Sequence, residues 1–201
     1  PPGANWPADF PDKYCHFELR FNDGTRAVYR DVRRFGTLHL RTATEKQERL
    51  STMGTDPLSD DWNREAFKKS TQGSKRSIKA LLLDQSKIAG LGNIYACEAI
   101  HLSNIDPLLK GDELSNSDWD RLYTVIEPLL RSAVKEGGTR LTNLDDLQYI
   151  HEPNLYLDNF EIQLRAYGRE GQPCLSSRCP GVIERIVQQQ RSTFYCPTCQ
   201  A

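Results

Sequence analysis

Apolar and polar residues alternate over residues 14–21 and again over 26–29, the period-two pattern of a half-buried strand. Between them stands Asn22-Asp23-Gly24, a strong short-range hairpin signal. Residues 35–40 read as a third strand. About three strands make too little sheet to stand alone, so residues 1–43 are expected to be the remnant of a larger β-domain. The first dozen residues, with Pro1, Pro2, Pro7 and Pro11, read as loop or linker.

From Thr44 the period changes to 3.6. Short helices are expected over residues 62–69, 77–83 and 93–101. The last has Ile94, Cys97, Ala99 and Ile100 as apolar positions. Ser115-Asn116-Ser117-Asp118 has the form of a capping box. It precedes a long helix whose buried stripe is Leu122, Val125, Ile126, Leu129, Leu130 and Val134. Pro128 should bend that helix, and Gly137-Gly138 should end it. A further short helix is expected over residues 143–150, and residues 161–167 alternate again. There is no internal repeat and no low-complexity tract.

The chain ends in two close cysteine pairs. Cys174 and Cys179 are spaced C-x4-C, Cys196 and Cys199 are spaced C-x2-C, and sixteen residues separate the pairs. Each pair can fold back to offer two thiolates, and two such pairs complete a tetrahedral site for one structural zinc ion. Residues 180–195 between them have the length and alternation of a β-hairpin. The expectation is a four-cysteine zinc ribbon with a polar tip, set against the alternatives of disulfides or free thiols. Such a closed site performs no chemistry; it stiffens a hairpin so that its tip can touch something.

With 201 residues and 38% hydrophobic content, the chain can form one large domain or two small ones. No apolar run approaches the ~18 residues needed to span a bilayer, and no signal segment opens the chain, so no membrane role is expected. Zinc-type thiol spacing with two further cysteines, Cys15 and Cys97, points to a reducing compartment, cytoplasmic or nucleoid/nuclear. A monomer is expected. The net charge of −1 argues mildly against a nucleic-acid binder, but the charges are unevenly spread. Acids gather at residues 56–61, 112–120 and 145–146. Bases gather around Arg33 and Arg34, around Lys75, Arg76 and Lys79, and at Arg178, Arg185 and Arg191. His16, His39, His101 and His151 are scattered and pair with no acid at a useful spacing, so core or surface roles are expected of them.

Gly90-Leu91-Gly92-Asn93 joins two helical segments. Glycines let backbone approach an anion, and the next helix presents free N–H groups at its positive end. Asn93 can cap that helix or donate to a phosphate. A tight helix–helix turn needs glycine on steric grounds alone, and the motif by itself does not decide between the two.

In order along the chain stand Arg33-Arg34-Phe35-Gly36, then Ile78-Lys79, Gly90-Leu91-Gly92-Asn93-Ile94-Tyr95, and Gln163 to Arg169 leading into the cysteine pairs. Together these pieces resemble the formamidopyrimidine-DNA glycosylase / endonuclease VIII family of base-excision repair enzymes over nearly the whole chain. The resemblance implies an α+β fold: a partial β-sandwich remnant (residues 1–43), a helix–two-turns–helix DNA-binding domain (44–160) and a zinc finger (161–201). It implies that Asn93 contacts a phosphate, with Gly90, Gly92 and the basic Lys79 beside it. Arg33 would enter the duplex opposite the extruded base, Phe35 would wedge beside it, and Arg191 would grip the phosphates at the lesion. Those residue types suit the roles. Extruding a base costs a few kcal/mol, stacking groups fill the hole, and cations grip the bent backbone. The implied partner is double-stranded DNA containing a damaged base or abasic site. Residues 154–159 fall where the family has its lesion-recognition loop.

The same resemblance places the family's chemistry on an N-terminal proline amine followed by glutamate, which forms a Schiff base at the abasic sugar. Here Pro1 is followed by Pro2 and precedes a segment like the family's late strands. No catalytic residue is therefore expected in this chain. It reads as the DNA-binding part of a glycosylase/abasic-site lyase; the alternative is a non-catalytic damaged-DNA-binding module, and a general nucleic-acid scaffold stands behind both. The C-x4-C pair departs from the C-x2-C common in close relatives, and the longer knuckle should leave the coordination intact.

Overall fold

The structure, a computed structural model, describes residues 12–135 and 164–201. Two antiparallel hairpins and five helices make up the described chain. In order they are β1 (Cys15–Arg20), β2 (Arg26–Arg30), α1 (Ala43–Ser51), α2 (Arg64–Thr71), α3 (Ile78–Leu82), α4 (Asn93–Leu102), α5 (Asn116–Lys135), β3 (Glu184–Gln188) and β4 (Arg191–Tyr195). The fold is α+β, and it divides into two compact units that meet in sequence at Thr42 and Ala43. The expected C-terminus of α5 at Gly137-Gly138, the helix over 143–150 and the loop over 154–159 lie outside the described residues.

In the first unit β1 and β2 pair from Phe17↔Tyr29 to Arg20↔Arg26. The turn closes with Phe21 N–H to Thr25 C=O at 2.9 Å and Gly24 N–H to Phe21 C=O at 3.0 Å, with Gly24 at φ 83°. This is a three-residue loop ending in a left-handed glycine. The expected third strand is absent: residues 35–42 have no regular structure. Among the described residues no strand lies beside them to take their N–H and C=O groups, and alternation alone cannot supply a ladder. Phe35, Leu38 and Leu40 are exposed.

In the second unit, helix boundaries follow their caps. Asn63 accepts from Ala66 N–H at 2.8 Å, and Ser77 accepts from Ala80 N–H at 3.3 Å. Ser115 forms the expected capping box: its Oγ accepts from Asp118 N–H at 3.2 Å, and Asp118 returns a carboxylate to Ser115 N–H at 2.7 Å. Helix α5 runs unbroken through Pro128. The core holds Phe67, Leu81, Leu82, Ile88, Leu91, Ile100, Trp119, Leu122 and Ile126. Trp62 stacks on Tyr123 at 5.4 Å, and Phe67 meets Trp119 edge-on at 5.5 Å, an aromatic arrangement worth about 1 kcal/mol beyond area alone.

Helix α4 is buried continuously from Ala96 to His101, because α3, α5 and β4 all pack on it. A helix apolar on one stripe lies on a surface; one covered on all sides lies at a centre. Residues 164–167, part of the alternating stretch that leads into the ribbon, have no regular structure. The ribbon's own core is small: Ala166, Cys174, Ile183, Phe194 and Cys196, with Tyr167 edge-on to Phe194 at 4.9 Å. So little apolar surface cannot hold a hairpin by itself.

Candidate nucleic-acid interface and metal centre

The four cysteine Sγ atoms lie within 4.8 Å of one another. Cys174 and Cys199 are 3.8 Å apart and Cys179 and Cys196 are 3.6 Å apart. Tetrahedral zinc with bonds of ~2.3 Å requires sulfur spacings of about 3.8 Å, which these two pairs already match, so the four thiols can hold one zinc ion. Ser176 N–H and Gly181 N–H each point to a sulfur at 3.4 Å, as donors do toward thiolates. Burial works against ionising Cys196, but the N–H groups of Cys199 and Thr198 outweigh it and bring this thiol to about 7. Cys199 is pushed up to about 12, by burial first and by the neighbouring thiols. Four thiolates this close repel one another unless a cation takes up their charge, which is the chemistry of a metal centre.

Second contacts tie this centre to α4. Gln200 Oε1 accepts from Cys196 N–H at 2.8 Å and pairs with His101 Nδ1 at 2.7 Å, while Gln200 Nε2 donates to Ile105 C=O at 2.7 Å. Because Oε1 only accepts, His101 carries its proton on Nδ1. That leaves Nε2 facing Ser176 Oγ at 3.3 Å and Cys174 Sγ at 3.9 Å. His101 is thus a core residue that supports the site.

The glycine turn between α3 and α4 has a left-handed Gly90, φ 80°, which is why that position is glycine. Its N–H does not face outward: it donates to Gln85 Oε1 at 2.8 Å, while Gln85 Nε2 donates to Leu91 C=O at 3.0 Å. Gln85, which sequence reasoning missed, staples the turn. Gly92 is the N-cap of α4 with extended backbone and no side-chain cap, and a Cβ there would meet nothing within 4 Å. The space around it would therefore admit a side chain within the protein itself. The first intrahelical bond, Ala96 N–H to Gly92 C=O at 2.9 Å, leaves the opening N–H groups of α4 at a positive helix end.

Asn93 begins α4, and its Nδ2 donates to Ser192 C=O at 3.1 Å. The same carbonyl accepts from Lys79 Nζ at 2.7 Å, and Nζ also donates to Thr193 Oγ1 at 2.5 Å. Ser192 follows Arg191, the exposed first residue of β4 at the ribbon tip. Elbow and tip therefore share one hub, although about a hundred residues separate them in sequence. The tip turn keeps Gln189 and Gln190 at φ 50° and 61°, the left-handed pair that a two-residue hairpin loop demands. Holding non-glycine residues there costs on the order of 1 kcal/mol each. Lys79 is 1% exposed, so it stands beneath this surface and not on it.

Glu98 is 2% exposed and accepts three backbone N–H groups: Arg165 at 2.8 Å, Ala166 at 2.9 Å and Tyr167 at 2.8 Å. It fastens the ribbon's lead-in to α4. A carboxylate in mid-helix carries no sequence sign of such a nest, whose donors lie 67 to 69 residues away.

In the other unit Asp31 organises the basic corner. Its carboxylate accepts from Arg33 N–H at 3.1 Å, Arg34 N–H at 2.8 Å and Gly36 N–H at 2.7 Å, and from Tyr29 Oη at 3.0 Å. These bonds, the Gly36 amide foremost, hold its pKa below the usual carboxylate value although burial opposes them. A Cβ on Gly36 would lie 1.4 Å from Tyr29 Oη, so a side chain there would push the half-buried Tyr29 ring off its bond to Asp31. The Arg33 guanidinium lies over the exposed Phe35 ring at 4.7 Å, bringing these two sequence-predicted residues together.

Three comparisons place the chain among known proteins. The family profile described as "Formamidopyrimidine-DNA glycosylase H2TH domain" matches residues 53–144, and the profile "Zinc finger found in FPG and IleRS" matches residues 171–201. The formamidopyrimidine-DNA glycosylase of Dinoroseobacter shibae is 37% identical over 191 residues, covering 94% of this chain and 65% of that protein. That of Caulobacter sp. (strain K31) is 38% identical over 209 residues, covering 100% of this chain and 70% of the relative. Among solved structures, the complex of Lactococcus lactis Fpg with abasic-site DNA superposes with a TM-score of 0.78 at 31% identity, over 94% of this chain and 67% of that one. The chain thus spans about two thirds of the length of these relatives. Matching profiles for both the helical and the ribbon segments, and relatives that align along nearly all of it, mean that this chain belongs to the formamidopyrimidine-DNA glycosylase family.

Proposed function

We propose that this chain is the DNA-gripping part of a base-excision repair glycosylase/abasic-site lyase that acts on oxidised bases in double-stranded DNA. One observation supports this most directly: Asn93 at the glycine elbow bonds to the carbonyl of Ser192, the residue after Arg191. The N-terminal turn of α4 and the ribbon tip are thereby held side by side, as a grip on consecutive phosphates requires. The Lactococcus relative, solved with abasic-site DNA, agrees with this reading.

In the proposal Asn93 and the amides beyond Gly92 hold one phosphate and Arg191 holds its neighbour. Arg33 and Phe35, already stacked on each other, fill the gap left by the extruded base. Zinc supplies rigidity only, by holding the knuckles from which β3 and β4 extend. Residues 1–43, 44–160 and 161–201 act as sandwich remnant, DNA-binding domain and zinc finger. The protein works in a reducing compartment that holds DNA, and among the described residues no helix is long and apolar enough to cross a membrane.

The test is duplex binding against salt concentration, with an abasic-site analogue and with undamaged DNA. Arg191→Ala and Asn93→Ala should each weaken both complexes about tenfold, and Arg191→Ala should lower the salt slope by about one. Arg33→Ala should reduce the preference for the lesion while sparing undamaged binding. Wild-type chain without affinity for duplex DNA would overturn the proposal. So would a full-length protein that leaves abasic DNA uncut, since that would make the family's chemistry absent here.

A further inference from the structure

Lys79 is a cation without a counter-charge. It is 1% exposed, and its Nζ bonds to neutral groups, Ser192 C=O at 2.7 Å, Thr193 Oγ1 at 2.5 Å and the Cys97 thiol. Among the described residues no carboxylate pairs with it. Of its titratable neighbours, the Cys97 thiol favours the ammonium and Arg191 opposes it, and burial outweighs both. Burial pushes the Cys97 thiol up, so it stays neutral, and Arg191 repels the ammonium. Burial lowers the pKa of Lys79 itself, which is the physical sign that the charge is costly where it lies. An apolar side chain of similar volume suits such a place better in the free protein.

The position explains what the cost obtains. Ser192 C=O is shared by Lys79 and Asn93 and directly follows Arg191, so the ammonium lies under the point where the elbow and the ribbon tip meet. Consecutive phosphates bound at Asn93 and at Arg191 would provide the missing negative charge across one layer of protein, where screening is weak. We infer that Lys79 is a buried counter-charge for the adjacent backbone phosphates held by Asn93 and by Arg191, acting on them without contact. The inference rests on the nucleic-acid reading above and changes the expected role of Lys79 from contact to support. A structural strut would stabilise the free protein. A stored cation makes the opposite trade: it weakens the free fold and strengthens the complex.

Lys79→Met removes charge and hydrogen bonds together, and Lys79→Gln removes the charge while keeping a donor. Each is measured for zinc content, for Tm without DNA and for affinity to a duplex bearing an abasic-site analogue. Both variants should keep their zinc and melt at or above the wild-type Tm. Both should bind the duplex on the order of tenfold more weakly, the size of one charge interaction at an effective dielectric of ~20. Wild-type affinity in Lys79→Gln would show that a hydrogen bond matters and the charge does not. A lower Tm in both variants would make Lys79 a strut, and unchanged affinity in both would remove it from binding; each of these results overturns the inference. If the wild-type chain binds no duplex at all, the nucleic-acid reading fails first and the inference falls with it.

Discussion

The two basic features of this chain are built in opposite ways. The corner around Arg33 is organised by residues within a few positions of one another: Asp31 accepts three backbone N–H groups, and Arg33 lies over Phe35. The elbow–tip surface is assembled from Lys79, Asn93 and Ser192, across 99 and 113 residues. Local bonds hold the corner, and they leave Phe35 77% exposed. Long-range bonds need a core to bring the parts together, and they bury a lysine in doing so. The corner can therefore lose a side chain without disturbing the fold, whereas the elbow and tip depend on the core that brings them together.

The largest break in this contrast should come from the metal centre. Cys196→Ser should abolish stoichiometric zinc and unfold the ribbon, since about 10 kcal/mol or more of metal binding is tied to folding in small zinc domains. Amide signals from β3 and β4 should disappear while those of α5 remain. Retention of metal and of hairpin signals would mean that the ribbon stands on its small core.

Next comes the nest at α4. Glu98→Ala strands three N–H donors, at a cost of roughly 3 kcal/mol, read as a lower denaturation midpoint. Binding to DNA should fall with it, because the ribbon's lead-in is no longer fastened. An unchanged midpoint would show that water satisfies those amides.

Asp84 offers a smaller test within the helical unit. Its carboxylate accepts from Ser86 Oγ and N–H and from Arg76 Nη1 at 2.6 Å, which together hold its pKa at about 2. A depressed folded-state pKa contributes stability that is present above the unfolded value of about 3.9 and fades as pH falls through about 2. Asp84→Asn should cost about 1 kcal/mol near pH 7, and the difference from wild type should shrink from pH about 4 down to about 2. A difference independent of pH would assign the effect to packing.

The smallest effect belongs to the corner. Phe35→Ala should change stability by under about 0.5 kcal/mol, measured by denaturation, while reducing lesion preference in the binding assay. A clear loss of stability would show that the ring has a packing role.

Local chemistry made much of this molecule legible in advance. The cysteine pairs, the Asn22-Asp23-Gly24 turn and the Ser115 capping box act through near neighbours in the chain, so their spacing already contains their geometry. The helix over 93–101 was readable as apolar, yet its complete burial was not. Periodicity reports one face at a time and does not reveal how many elements pack on it. Residues 35–40 mislead for a related reason: alternation permits a strand, but pairing requires a partner beside it.

The sequence alone determined the metal ligands, the helix caps and the turns, because each is a contest between a side chain and the backbone next to it. Only the tertiary structure decided that Glu98 fastens the ribbon, that Gln85 staples the elbow and that Lys79 lies inside. Those outcomes depend on which distant carbonyls and amides arrive at the same place, and arrival is set by the packing of α4 against α3, α5 and β4.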